Sequence, residues 1–311
     1  MENKSQFDKQ IIFIIGMPRS GTSLLHYLIS RTFKIPLYYE PQFLREFKKF
    51  ILKSKGSESK FAVYKFIDLY CKKSKYKRKD ILHFLPELSF SGAFYAIMKH
   101  RNLIHNGKNL FGAKLPYMDI KTLNKIFKNL KVIHIIRDGR DCALSILSQY
   151  WGSTNFYVAA CQWKSYILKN RKDAEKLLKN NYIELKYEKL VEDPIKELKR
   201  LQGFLGVGEM DLDILKNLVR YEIINKKAVF KWKKDMRKKD IALFQTVAGQ
   251  ALKKLEYEIY PVDNIKISTI RRFIYLLWNF ICREYKTRFR KPAENKFSYI
   301  REIESKLSMK R

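Results

Sequence analysis

IIFIIGMPRSGTSLLHYLIS, residues 11–30, is the stretch whose reading decides the fold. Ile11 to Ile15 form an apolar run that reads as a short buried strand. Gly16 ends it, Met17 to Ser20 make a compact loop that Gly21 closes, and Thr22, Ser23, Leu24, Leu25 and Leu28 begin a helical pattern. Strand, glycine-bounded loop and helix together make a phosphate cradle. Loop N–H groups and the open helix end point at an anion, and the helix dipole favours negative charge there. The glycines allow the backbone to approach closely. The Gly16-to-Gly21 spacing matches the first part of the nucleotide loop G-x-x-x-x-G-K-[ST], but Thr22 stands where the lysine belongs. A triphosphate would lose its main cationic partner. Here the cation sits inside the loop as Arg19, with Ser20, Thr22 and Ser23 as hydroxyl donors, which suits a less charged group.

A second anion site is expected in KVIHIIRDGRDCALSILSQYWG, 131–152. Val132–Ile136 reads as another buried strand, followed by a charged turn and a helix over Cys142–Gln149. Open α/β sheets bind ligands at the carboxyl ends of parallel strands, where Arg137 falls. Its guanidinium can grip a phosphate bidentately, and Ser145 can offer a hydroxyl to the same group. Of Asp138 and Asp141, one is expected to cap the helix or pair with an arginine. Further strands are expected at Ile35–Tyr39 and Tyr182–Tyr187, and Lys114 and Pro116 lie in a strand-to-turn segment, 110–119, before a helix over 120–130. Glu40, just past a strand end, is placed to face the same crevice. Strands alternating with helices predict an α/β, P-loop-like three-layer fold with a central, mostly parallel sheet flanked by helices.

The chain of 311 residues is 46% hydrophobic, enough for a large α/β domain. Residues 1–260 read as that domain, with a lysine-rich helical insertion at about 45–110, the usual place for acceptor-recognition elements. Residues 261–311 read as a basic helical extension. Within it, 271–291 has an apolar stretch between arginine and lysine flanks that suits either packing on the domain or lying in an anionic membrane interface. The formal charge of +33 allows nucleic acid, anionic membrane or an anionic substrate as partner. The lysines are spread along the chain, among abundant Ile, Asn, Tyr and Phe, as an AT-biased coding sequence would also produce; only cations at motif positions carry functional weight, and nucleic acid is disfavoured. Cys71, Cys142, Cys161 and Cys282 show no metal spacing and read as free thiols. With no leader-like or membrane-spanning apolar run, a cytoplasmic, at most membrane-associated, protein is expected.

The blocks together resemble the PAPS-dependent sulfotransferases, whose donor is 3′-phosphoadenosine 5′-phosphosulfate. The resemblance covers residues 11–258 and follows the bacterial branch, related to the Golgi carbohydrate and tyrosylprotein enzymes. IIGMPRSGTSLL, 14–25, resembles the 5′-phosphosulfate loop, implying Gly16, Pro18, Arg19, Ser20, Gly21, Thr22 and Ser23 as donor contacts. IIRDGRDCALS, 135–145, resembles the 3′-phosphate motif, with Arg137 and Ser145 as ligands. YEKLVEDPIKELKRLQGFLG, 187–206, is similar to a segment that would put Tyr187 near the adenine, and the block at 231–258 implies that Lys231 and Trp232 close over the nucleotide. The resemblance further implies a hydroxyl-bearing acceptor, no metal, and Arg19 stabilising the leaving oxygen. A base is needed for the acceptor proton. Glu40 matches the glutamate that follows the loop in the tyrosylprotein and glycan enzymes; His83, His100 and His105 of the insertion are the alternatives, while His26 and His134 read as packed residues. Lys114, in a turn similar to the family's Gly-x-Lys-x-Pro, is placed near the sulfonate or acceptor. Two rivals remain at this point: a P-loop nucleotide kinase, and a basic nucleic-acid- or membrane-binding module without catalysis.

Overall fold

In the computed structural model of the protein, the described residues are 9–53, 59–104, 109–213, 216, 224 and 226–289. A five-stranded sheet runs in the order β2-β3-β1-β4-β5, with β1 Gln10–Ile15, β2 Leu37–Tyr39, β3 Leu110–Lys114, β4 Leu130–Ile136 and β5 Tyr182–Lys186. Every pairing is parallel. The chain leaves β1 towards β2, returns to fill the gap with β3, then crosses to β4 on the other side of β1. That reversal opens a crevice at the carboxyl ends of the central strands.

The apolar runs that announced the strands are buried on both faces, as parallel sheets require. Side chains alternate along β1: Ile11, Phe13 and Ile15 enter one core, Ile12 and Ile14 the other. On the first face lie α2 Gln42–Lys53, α3 Lys60–Ser74, α4 Arg78–Leu82 and α5 Phe90–His100, the helices of the insertion. Phe43, Phe47, Phe66, Phe90 and Phe94 of these helices pack with Phe13, Phe111 and Phe127. Ring centroids there approach within 4.9 Å for Phe47–Phe66 and for Phe13–Phe127. The insertion therefore completes the main core. On the opposite face lie α1 Thr22–Thr32, α9 Tyr187–Glu192 and α10 Pro194–Leu205. A third cluster joins α7 Gly139–Leu147, α8 Phe156–Leu177, α11 Trp232–Asp235 and α12 Lys238–Lys254 around Trp163, Trp232 and Phe244.

Three of the boundaries that depart from the sequence expectation have a local cause. β2 begins at Leu37, because Pro36 cannot donate to a ladder. The helix after β3, α6 Ile120–Ile126, stops early because Leu130 already belongs to β4. Tyr187 opens α9 rather than ending β5. Beyond Pro261, α13 Thr269–Phe289 lies against the start of α8. Among the described residues no helix is long and apolar enough to cross a membrane.

Candidate active site

Each of the five strands delivers one expected site residue at or just past its carboxyl end. The loop 16–21 follows β1, Glu40 follows β2, Lys114 ends β3, Arg137 follows β4 and Tyr187 follows β5. The loop folds on itself: the Ser20 N–H donates to the Met17 carbonyl at 3.0 Å, and the Ser20 hydroxyl donates to the same oxygen. Ser20 is thus buried and its hydroxyl is used within the loop, which differs from its expected role as a donor to ligand. Gly16 has no room for a side chain, since a Cβ would come within 2.6 Å of Ser20 Oγ and 2.7 Å of the Ile135 carbonyl. Gly21 sits at φ 95°, where a Cβ would lie 2.3 Å from the Tyr187 ring. Pro18 is buried; Arg19, in a left-handed conformation at φ 73°, projects to solvent. Helix α1 starts at Thr22 with no side chain capping it, so its first N–H groups remain directed at the crevice.

The second cradle touches the first. Arg19 Nε donates to Ser145 Oγ at 2.8 Å, and Arg137 Nη1 donates to the Arg19 carbonyl at 3.0 Å. The Arg137 guanidinium lies over the Tyr187 ring, 4.6 Å from its centroid, and its Nη2 donates to the Ala228 carbonyl. Among the described residues its buried Nε has no hydrogen-bond partner. Asp141 accounts for the geometry around it. Its carboxylate lies 3.5 Å from Arg137 and accepts from the N–H groups of Phe230 and Trp232, so one side chain ties the loop 228–232 to the arginine. Burial pushes the Asp141 carboxyl up from its usual range, against the pull of Arg137 and these N–H groups. Asp138 does cap α7, and it also holds the fully buried Arg140 through two hydrogen bonds from its guanidinium. Both aspartates are therefore structural.

The third group lies beside the loop. Lys114 is 1% exposed; its ammonium donates to Ser23 Oγ at 2.8 Å and pairs with Glu40 Oε1 at 2.8 Å. It also sits 3.7 Å from the centroid of the Tyr39 ring. Tyr39 and Ser23 share a hydroxyl–hydroxyl hydrogen bond of 3.0 Å. Arg45 stands 3.7 Å from the other Glu40 oxygen. Glu40, at φ 47°, is 24% exposed on its side chain. A partly exposed carboxylate thus sits one ammonium away from the hydroxyl at the start of α1. Tyr39 was missed in the sequence; its signal was adjacency to Glu40 on a three-residue strand.

The described histidines fall into two groups. His26 bonds the Leu37 carbonyl, and burial, with the charge of Lys114 adding to it, brings it down to about 4. His134, paired with the Tyr182 hydroxyl, is brought down by burial to about 3. His100 packs among Tyr70, Tyr76 and Phe84, and His83 against Phe84. His105 lies outside the described residues. Trp232 is expected from the resemblance to close over a nucleotide. Its indole is fully buried, with the Arg140 guanidinium 3.5 Å from its ring centroid and Tyr260 edge-on. Lys231 is exposed and lies 3.9 Å from Asp235. Thr22 is buried at the first turn of α1. Among the described residues, no group of His, Cys, Asp and Glu side chains gathers in a way that could hold a metal ion.

A family model described as "Sulfotransferase family" matches residues 11–211. The chain belongs to the sulfotransferase family. The matched span contains all five strands and every site residue above except Lys231 and Trp232. Two solved structures are similar to this sulfotransferase in fold. The sulfotransferase domain from the Synechococcus PCC 7002 olefin synthase is 19% identical, with a TM-score of 0.55 over 81% of this chain and 96% of that one. The sulfotransferase domain from the curacin biosynthetic pathway is 19% identical, with a TM-score of 0.52 over 81% of this chain and 99% of that one. An uncharacterized protein of Aquifex aeolicus (strain VF5) is 25% identical over 215 residues, 66% of this chain; the match spans only 26% of that relative's length.

Proposed function

We propose that the protein moves a sulfuryl group from 3′-phosphoadenosine 5′-phosphosulfate to the hydroxyl of a carbohydrate, a lipid-linked glycan or another small acceptor, and that residues 1–260 form the unit that does so. The observation that carries this reading is the contact between the two anion cradles, through Arg19–Ser145 and Arg137–Arg19. A donor with phosphate groups at both ends of a nucleoside needs two such sites; a triphosphate nucleotide needs one with a lysine. The residues present fit the donor. The uncapped start of α1 and the buried, unpartnered Nε of Arg137 are hydrogen-bond donors still awaiting an acceptor.

The donor supplies an activated sulfuryl group whose bond to the 5′-phosphate breaks as the acceptor oxygen bonds to sulfur. Arg19, Thr22, Ser23 and the N–H groups of the loop and α1 would hold the phosphosulfate end, and Arg137 with Ser145 the 3′-phosphate. Tyr187 supports both, packed against Gly21 and beneath Arg137. Arg19 and Lys114 are the cations placed to offset charge growing on the leaving oxygen. Glu40 takes the acceptor proton, its carboxylate aimed by Lys114. The chemistry assigned to these residues requires no metal. Four cysteines without a disulfide suit a reducing, cytoplasmic setting.

Calorimetry with adenosine 3′,5′-bisphosphate tests the donor, and transfer of labelled sulfate from PAPS into extracts of the native host, with mass spectrometry of the product, tests the reaction. Magnesium-dependent ATP binding without any response to the bisphosphate would replace this reading with a kinase.

A further inference from the structure

Helix α13, Thr269–Phe289, is docked the wrong way round for a helix on a water-facing surface. The residues that touch the body are spaced i, i+4, i+7, i+11: Tyr275, Asn279, Cys282 and Lys286 are its partly buried positions. Their contacts are polar as well as aromatic. Asn279 Oδ1 accepts from the Thr154 N–H at 2.8 Å, the Tyr275 carbonyl accepts from Asn155 at 2.9 Å, and Lys286 donates to the Leu147 carbonyl at 3.2 Å. The Tyr275 ring stacks on Tyr157. At 100° per residue the opposite side carries Ile270, Phe273, Ile274, Leu277, Phe280 and Ile281, spaced i, i+3, i+4, i+7, i+10, i+11. These side chains are 45% to 72% exposed. An amphipathic helix ordinarily buries such a stripe against its own core. Here the hydrogen-bonding edge faces inward and the apolar edge outward.

The charges around the stripe indicate what covers it. Arg271 and Arg272 precede the apolar centre, and Arg283, Lys286 and Arg288 follow it, against one acidic residue, Glu284. A second copy of the chain would bring the same cations, and a body of formal charge +33, against them. An anionic lipid surface meets both needs, taking the apolar edge among its acyl chains and the cations at its headgroups. We propose that α13 seats the protein on an anionic membrane surface through Phe273, Leu277 and their neighbours. The docked side of the helix reaches Leu147, two residues beyond Ser145, so a seated protein holds its site near that surface.

The test is co-sedimentation of the full chain with vesicles of phosphatidylcholine alone or mixed equally with phosphatidylglycerol. Binding to the mixed vesicles and not to the neutral ones is expected. Because so cationic a body can adhere by charge alone, the deciding variant is the uncharged pair Phe273→Ser with Leu277→Ser. It should keep the melting temperature and lower partitioning about tenfold or more at moderate salt. Mixed-vesicle binding that this variant leaves unchanged overturns the proposal, as does no binding by the wild type. Sedimentation velocity showing a stable dimer that the same variant dissolves, without vesicle binding, would assign the stripe to a second copy instead.

Discussion

Glu40→Gln separates the proposed base from its surroundings. The substitution keeps the shape and an acceptor oxygen for Lys114 Nζ, now 2.8 Å from Oε1, but removes the negative charge. Two effects follow, of different size. Breaking a fully buried ion pair costs about 3–5 kcal/mol. Here Glu40 is 24% exposed and Lys114 keeps Ser23 Oγ and the Tyr39 ring, so the loss should be nearer about 1–2 kcal/mol, a fall of a few degrees in Tm. Loss of a positioned general base costs about 10²- to 10⁴-fold in rate. The rate effect therefore dominates at temperatures where the variant is folded. The assay pairs initial rates of labelled sulfate transfer with calorimetry of adenosine 3′,5′-bisphosphate, and the bisphosphate should bind as tightly as to wild type. Near-wild-type turnover would refute the assignment and move the base to the histidines of the insertion. A large loss alone does not distinguish a base from a residue that only aims Lys114. Adding Glu40→Gln to Lys114→Met does: a base lowers the rate further, whereas no further loss means that Glu40 acts only through the lysine.

Arg137→Ala should weaken bisphosphate binding by about 1.5–3 kcal/mol, roughly 10- to 150-fold, and an unchanged calorimetric affinity would remove the donor assignment. Gly21→Ala must hold a left-handed backbone and displace the Tyr187 ring, which would lie 2.3 Å from the new Cβ, so it should cost about 1–3 kcal/mol in urea unfolding and lower bisphosphate affinity with it. Glu188 is buried where it accepts from the Asp138 N–H and the Tyr257 hydroxyl, and burial raises it from 4.5 to about 7. The folded protein then holds a proton that the unfolded chain has released, so this group lowers stability as pH rises from 4.5 through 7, by up to about 3 kcal/mol. Glu188→Gln should gain that much relative to wild type between pH 4.5 and pH 8 in urea titrations; a pH-independent difference would show that the carboxyl is not displaced.

The loop at 16–23 and the arginine at 137 were legible because their signals are local: an apolar run, a break, and polar residues at the strand end. What was not legible shares a cause, which is that a periodicity identifies an element without saying what it faces. Trp232 lies among Lys231, Lys233 and Lys234, in a block read by resemblance as closing over the nucleotide. It is buried because Arg140, far away in sequence, stacks on it and Asp141 binds its N–H. The insertion read as the usual place for acceptor-recognition elements, and its Phe47, Phe66 and Phe90 also fill the core beneath the sheet. Both concern contacts between segments that no single stretch encodes.

The lysine absent after Gly21 shows the same point in its most useful form. Judged along the chain, the cradle has no lysine. In space it has one: β3 pairs with β1 in a register that sets Lys114 opposite Ile14, and with β2 in a register that sets it opposite Tyr39. The side chain that leaves β3 there reaches Ser23, the second residue of α1, while its neighbour strand supplies Glu40. A nucleotide loop with its own lysine carries that charge on the helix that binds phosphate. Here the charge arrives from an adjacent strand and is shared with a carboxylate; under the proposed function it would stand between the donor loop and the acceptor hydroxyl. That placement suits transfer out of the cradle, where both the departing oxygen and the incoming one need a cation within reach, and it explains why Lys114 and Glu40 should be tested as a pair.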